Sequence, residues 1–330
     1  MTGIPADRAA APLRRGRGRG DRLFHSGVTA AGTVVVLVLL ATVVFIVIKA
    51  WPAVSHYGPG SFLSSDRWAP SDAVANQADP NPYGILQFLY GTLVTSAIAM
   101  VIAVPVSIAV ALTITDVAPQ RLRRPLSALV DLLAAIPSVV YGIWGIFALI
   151  PALRPFGDWA ATAFDGIPVL GTVFSGPFSG VSYFSAGVVL AIMVLPIVTA
   201  VCREVFATAP CAEKESAYAL GATRTEMLRM AVLPRSRSGI VGASVLGLGR
   251  ALGETIAVTM LIGDNVLSIT RSVLGQGATM PSVIANEFTE ANQPFHLSSL
   301  FVVAGCLLAL ALVVNALGRL IVRRTGENIA

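Results

Sequence analysis

Charge is scarce in this chain. Only 12% of its 330 residues are Asp, Glu, Lys or Arg, against 55% hydrophobic residues and a mean hydropathy of +0.76, which excludes an ordinary soluble domain. Lysine is scarcer still, with Lys49 and Lys214 alone, and neither follows a glycine. The Gly-x-x-x-x-Gly-Lys-Ser/Thr loop that cradles nucleotide phosphates is therefore missing, and with it an ATP site of that kind. Cys202, Cys211 and Cys306 are odd in number and lack paired spacing, so neither a disulfide framework nor a zinc site is read from them. His25, His56 and His296 are far apart, with no His-Glu-x-x-His arrangement, which argues against a metal. Basicity carried almost wholly by arginine points to a GC-rich bacterial genome.

What the chain has in abundance is apolar sequence. Six runs, at 28–50, 85–115, 126–150, 183–205, 239–263 and 297–322, are long enough to cross a ~30 Å hydrocarbon core, which takes about 20 helical residues. Pro105, Pro137 and Pro196 fall inside runs, where neighbouring helices and hydroxyl side chains can repair the backbone and a kink is expected. The reading is an all-α integral membrane protein with six transmembrane helices. Arg14-Arg15 resembles a twin-arginine export signal, but the run after it is too long and lacks a small-residue cleavage site.

Orientation follows from the positive residues, which concentrate in cytoplasmic loops. Of 23 Lys and Arg, only Lys49, Arg67, Arg154 and Arg271 fall in one set of alternate connections, and Arg250 falls in a span. The rest occupy the other set and the two tails, so both termini are expected in the cytoplasm of a bacterial cell whose plasma membrane this multi-pass chain crosses. The net charge of +5 then calls for an anionic leaflet, not a nucleic acid. The chain divides into a basic cytoplasmic arm at 1–27, a first span at 28–50, an outer loop at 51–84, a core at 85–324 with five spans, and a tail at 325–330. The outer connections at 155–182 and 264–296 read as loops, the second carrying Glu287 and Glu290 as solvated side chains. The one at 51–84 is polar enough to form a small cap or docking surface.

Inside the fifth run sit Arg250 and Glu254, within Gly249-Arg250-Ala251-Leu252-Gly253-Glu254-Thr255. Ions at that depth lose hydration at ~2.5–3.5 kcal/mol each, so a functional role is the default reading. On a continuous helix the i,i+4 spacing puts both on one face, where the carboxylate orients the guanidinium. That face also carries Ala243, Leu246, Gly247, Gly253 and Ala257, while Val241, Val245, Leu248, Leu252, Ile256 and Thr259 lie opposite. Two readings remain: an anion path, or an ion pair that locks two helices together.

The connection between the fourth and fifth runs reads Glu213-Lys214-Glu215-Ser216-Ala217-Tyr218-Ala219-Leu220-Gly221-Ala222-Thr223 and continues to Leu233-Pro234. It predicts two short helices meeting at Gly221, where glycine permits a positive φ. Leu220, Met227 and Met230 would form an apolar face and Arg224, Glu226 and Arg229 a wet one. Such a knob suits a soluble partner, or else lies on the bilayer as an amphipathic helix.

These residues carry a family resemblance. Glu215-Ser216-Ala217, then Gly221, then Leu233-Pro234 resembles the EAA motif of ABC importer permeases, with serine in place of the first alanine. Gly-Arg-Ala-Leu-Gly-Glu-Thr at 249–255 is similar to a signature of the PstC-type permease of phosphate importers. Ala135-Ile136-Pro137-Ser138-Val139-Val140-Tyr141-Gly142-Ile143-Trp144-Gly145 resembles that subunit's third helix, and Tyr90-Gly91-Thr92-Leu93 its second. The resemblance covers about 83–324.

It implies the type I, MetI-like ABC importer permease fold. It also implies a heterodimeric core with a homologous PstA-type permease, two copies of a PstB-type cytoplasmic ATPase, and a PstS-type external phosphate-binding protein. Glu215, Ala217 and Gly221 would form the knob that docks into the ATPase. Arg250 and Glu254 would line the path for inorganic phosphate. No cofactor would be bound by this chain itself, since ATP and Mg belong to the partner ATPase, and no catalytic or metal-binding residue is implied. The alternatives are a permease for another oxyanion or solute, and a membrane enzyme or self-sufficient carrier. The last is disfavoured because such a carrier needs no ATPase-docking knob and no catalytic constellation is present.

Overall fold

The computed structural model describes residues 19–70, 82–266 and 269–327; Arg8, Arg14, Arg15 and Arg17 lie outside them. Among the described residues the regular elements are helices, joined by the isolated bridges Trp68 to Tyr83 and Gly263 to Gly277. Residues 1–46 and 47–330 form two units, and α1 (Arg19–Tyr57) contributes to both. Among the described residues five helices are long and apolar enough to cross a membrane, and up to six segments do so if the pair Arg237–Leu252 and Ile256–Ile262, bent by 65°, counts as one span.

The second unit is built around one helix. We number α2 (Leu86–Val117), α3 (Gln120–Ala134), α4 (Ser138–Ala163) and α5 (Tyr183–Ala207). In α5, 61% of the apolar stretch is buried, against 28% in α2, which makes α5 the centre of the bundle. Lipid tails are as apolar as leucine, so helices in a bilayer associate through close packing of small residues and not through a solvent-driven effect. The sequence supplies those residues at helical spacing. On α2, Gly91, Thr95, Ala99, Ala103, Ser107 and Ala111 recur every fourth position and are all buried. The Ser107 hydroxyl donates to the Leu195 carbonyl at 3.1 Å, tying α2 to α5 one residue before Pro196, where the backbone lacks a donor.

The other face of this packing comes from α6 (Cys211–Ala219), α7 (Arg224–Met227), α8 (Arg237–Leu252) and α9 (Ile256–Ile262). On α8, Ala243, Gly247 and Ala251 form a buried seam. A Cβ added at Gly247 would lie 2.6 Å from Val198 and 2.9 Å from Val194, so this glycine is required by the closeness of α8 to α5.

The third crossing is displaced from the apolar run at 126–150. Residues 126–134 belong to α3, a separate helix that ends at Ala134. Pro137 forms the N-cap of α4, with φ −59 and ψ 141. A proline forces the preceding residue out of the helical region, so Pro137 separates two helices where a kink was expected. The crossing is Ser138–Ala163, and it takes in Arg154 and Pro155, which the sequence placed in a loop. Helix α3 exposes Leu122, Leu129 and Leu132 beside Arg121 and Arg124, the composition of an interfacial helix.

Two further helices, α10 (Met280–Glu287) and α11 (Pro294–Glu327), follow in the C-terminal part of the unit. A second buried cluster unites Phe62, Trp68, Tyr83, Ile85, Phe88, Met280 and Leu300. The Trp68 indole N–H donates to Glu287 at 2.7 Å, and the His296 imidazole lies 2.7 Å from the same carboxylate oxygen. Glu287, expected to be solvated, instead holds this cluster together; Glu290 is exposed as expected.

Candidate functional site

Helix α8 stops inside the membrane-length segment. Gly253 has φ −98 and ψ 2, its N–H reaches back to the Arg250 carbonyl at 3.2 Å, and that of Glu254 reaches the Ala251 carbonyl at 3.4 Å. Thr255 precedes α9 with φ −107 and ψ −67. The 65° bend between α8 and α9 falls on Gly253-Glu254-Thr255. Glycine supplies the weak helical preference that lets the run break there.

This break corrects the geometry expected of Arg250 and Glu254. Arg250 lies in the last turn of α8 while Glu254 lies beyond the helix end, so the two do not share a continuous helical face. Neither makes an ion pair or side-chain hydrogen bond with another described residue. The projection of opposite faces also fails past Leu252, which is itself buried. Arg250 is exposed and Glu254 half-buried. Arg250 lies near enough to Tyr141 of α4 to act on it electrostatically, and the Tyr141 hydroxyl donates to the Leu133 carbonyl of α3 at 2.9 Å.

An exposed guanidinium without a carboxylate partner, next to non-helical backbone, has a definite physical meaning in a bilayer. Unpaired peptide groups persist at that depth only where protein covers them or water reaches them. An ion lock between helices would require Arg250 to hold a partner, and within this chain none of the described residues serves. The arrangement offers a free planar donor fork to an anion or to a second subunit.

The 213–234 segment forms two short helices that meet at Gly221, as its sequence predicts. Helix α6 ends in a Schellman turn. The Ala222 N–H bonds the Ala217 carbonyl at 3.1 Å, and the Gly221 N–H bonds that of Tyr218 at 2.9 Å. Gly221 has φ +80, and nothing lies within 4 Å of a Cβ placed on it. Conformation, not space, therefore demands glycine there. Thr223 then caps α7, exchanging bonds with Glu226 in a capping box, and those hydrogen bonds hold the Glu226 carboxyl below its usual range.

Burial divides the segment. Ala217, Met227, Leu228 and Val232 join the core around α5, whereas Tyr218, Leu220 and Met230 are exposed, Leu220 at 87%. The expected apolar face of Leu220, Met227 and Met230 is thus split: Met227 anchors the segment, and the other two project from it. Glu215 is exposed and Ala217 is buried.

One contact was not legible in the sequence. The Lys214 ammonium lies 2.6 Å from Asp116, at the end of α2, and the Thr115 hydroxyl donates to the other Asp116 oxygen at 2.8 Å. Residues 116 and 214 have no shared motif or period; the only hint was that Lys214 is one of two lysines in the chain.

Known proteins with this pattern are consistent with one another. Residues 103–327 match the family of binding-protein-dependent transport system inner membrane components. The phosphate transport system permease protein PstC of Xylella fastidiosa is 42% identical over 315 residues, covering 94% of this chain and 93% of that one. PstC of Mesorhizobium japonicum is 40% identical over 305 residues, covering 92% and 90%. In structure, the chain is similar to the MetNI methionine ABC transporter in an inward-facing conformation, with a TM-score of 0.50 and 20% identity over 73% of this chain and 94% of that one. That likeness supports the fold alone. The apolar crossings, the EAA-like segment closed by Gly221 and the extended similarity lead to one conclusion: this chain belongs to the PstC family of ABC importer permeases, multi-pass proteins of the bacterial plasma membrane.

Proposed function

We propose that this chain is a translocation subunit of an ATP-driven inorganic phosphate importer. The observation that carries this reading is the exposed Arg250 at the break between α8 and α9, unpaired among the described residues, in a chain whose relatives are phosphate transport permeases. Its partners are a PstA-type permease completing the path, a PstB-type ATPase dimer and a PstS-type phosphate-binding protein. The distribution of arginine supports a cytoplasmic side for both termini and the 213–234 segment.

Phosphate delivered from outside gives up water as it enters the path. Arg250 donates to two of its oxygens and compensates its charge. Glu254, not bonded to Arg250, acts from within the bend as an acceptor. Hydrogen phosphate has a proton to offer it, whereas sulfate has none and is repelled. On the other side, Glu215, Ala217 and Gly221 shape the knob that docks into the ATPase. Its exposed Leu220 and Met230 provide apolar contact, and closure of the ATPase dimer moves α5 through the buried Met227 and Val232. The chain binds no cofactor of its own; ATP and Mg belong to the ATPase.

The test is uptake of radiolabelled phosphate into proteoliposomes holding both permeases, with and without the cognate ATPase and binding protein. ATP-dependent phosphate uptake supports the reading. Uptake of another oxyanion or solute in its place reassigns the substrate, and uptake without the ATPase overturns the coupling.

A further inference from the structure

A second cationic site lies at the end of the bundle that carries the 213–234 segment. A cavity of about 370 Å³ is lined by Thr115 and Asp116 of α2, Arg123 and Ser127 of α3, Arg203 of α5 and Lys214 of α6. Four separate helices thus converge on it, with three cations against one carboxylate. The carboxylate is already engaged, with Lys214 on one oxygen and Thr115 on the other. The two guanidinium groups are not used up. Arg123 places its Nε on the Ala118 carbonyl at 3.0 Å. Arg203 reaches Asp131 through Nη2 at 3.4 Å, and its Nη1 is buried with no hydrogen-bond partner.

A buried guanidinium nitrogen without an acceptor costs the full desolvation of a charged donor. As the side chain stands this nitrogen is shut off from the cavity and meets a ligand only if the guanidinium turns; what the wall presents is the remaining donors of Arg123 and Arg203 with the Ser127 hydroxyl, a set that suits an anion presenting several oxygens. At ~30 Å³ per water the cavity has room for about ten waters, ample for a hydrated tetrahedral oxyanion. A second cavity shares Arg123 and adds Arg121 and Arg124, which extends the positive field outward and favours capture of anions.

We propose that this cavity binds a phosphate group, separately from the path at Arg250. The group comes either from free inorganic phosphate or from the headgroup of an anionic lipid, and α3, with Leu122 and Leu129 exposed beside its arginines, gives a headgroup access. Because Lys214 belongs to the segment bearing Glu215 and Gly221, a bound phosphate group would also brace that segment against α2.

The experiment uses the full chain, assembled with its partner permease in nanodiscs and carrying Arg250→Gln to remove any contribution from the path. In phosphatidylcholine discs, equilibrium binding of radiolabelled inorganic phosphate is compared between this background and Arg203→Gln added to it. In discs containing phosphatidylglycerol, native mass spectrometry counts retained lipid for the same pair. Loss of one polydentate contact is expected to weaken phosphate binding by about tenfold if the ligand is the free ion. If the ligand is a headgroup, retained phosphatidylglycerol falls by a similar factor. Arg203→Lys is expected to recover part of either loss. Arg123→Gln, on a different helix, gives the same reading should Arg203→Gln fail to assemble. Unchanged phosphate binding and unchanged lipid retention in both glutamine variants overturn the proposal without touching the transport reading.

Discussion

The Lys214 ammonium and the Asp116 carboxylate stand 2.6 Å apart, joining the segment after α5 to the end of α2. With side-chain exposures of 20% and 9%, the pair is largely withdrawn from water, and removing one partner strands the other.

Asp116→Asn and Lys214→Met are therefore each expected to destabilise the assembled chain by up to about 3 kcal/mol, between an exposed and a fully buried pair. The double variant should cost less than the sum. Thermal unfolding of the two singles and the double in one detergent checks this, and additive losses would mean that the two groups do not act as a pair.

Gly221→Asp is expected to leave the membrane bundle folded while abolishing uptake and ATPase co-purification, because only the turn at φ +80 is strained, by about 1–2 kcal/mol. Gly221→Asn, which enters the left-handed region about as readily but adds no charge to the docking face, should retain part of both. Normal uptake by the aspartate variant would remove the docking assignment.

Arg250 has no partner to release within the described residues, so Arg250→Gln should leave thermal stability within about 1 kcal/mol of the parent. Phosphate uptake is expected to fall between about tenfold and a hundredfold, the worth of a hydrogen bond to a charged group. Glu254→Gln should admit relatively more sulfate when binding-protein selection is bypassed. Parental uptake by Arg250→Gln in reconstituted vesicles would make this residue structural.

Asp264 gives a pH signature. The residue is exposed, but the protein packed around it partly desolvates its carboxyl and pushes it above the usual range, Glu287 adds to that push, and a hydrogen bond from Asn286 opposes it; solvent screening keeps the effect small. The folded state thus holds this proton more tightly than the unfolded state, so the contribution to stability falls as pH rises from the ordinary carboxylate value through the raised one. Asp264→Asn is expected to raise the Tm slightly at neutral pH, with the gap closing below about pH 4. Asparagine also suits the φ of +50 at this position. An equal gap at both pH values would show that ionisation is not the cause.

Several features were legible in the chain because each rests on a local rule. Apolar length revealed the crossings, since a bilayer has a set thickness and demands that backbone hydrogen bonds close within a helix. Glycine at 221 announced its turn through its permitted φ. Arg250 stood out because ionised groups are rare in such runs. Where the sequence misled, a period had been carried across a boundary. Projection at 100° per residue assumed one helix from Ala243 to Ala257, but the chain bends after Leu252, and the apolar count at 126–150 merged α3 with α4 across Pro137.

By itself, then, the sequence determined that the chain lives in a bilayer, how many times it can cross, and where its turn at Gly221 falls. Only the tertiary structure decided that Arg250 is left without Glu254, that Lys214 meets Asp116, and that Glu287 gathers Trp68 and His296. Hydropathy and backbone conformation are set by residues within a few positions of one another. A contact between residues far apart in the chain depends instead on how closely helices can approach. Here that approach is set by small residues facing α5 from both sides, Ala99 and Ala103 from α2 and Ala243 and Gly247 from α8.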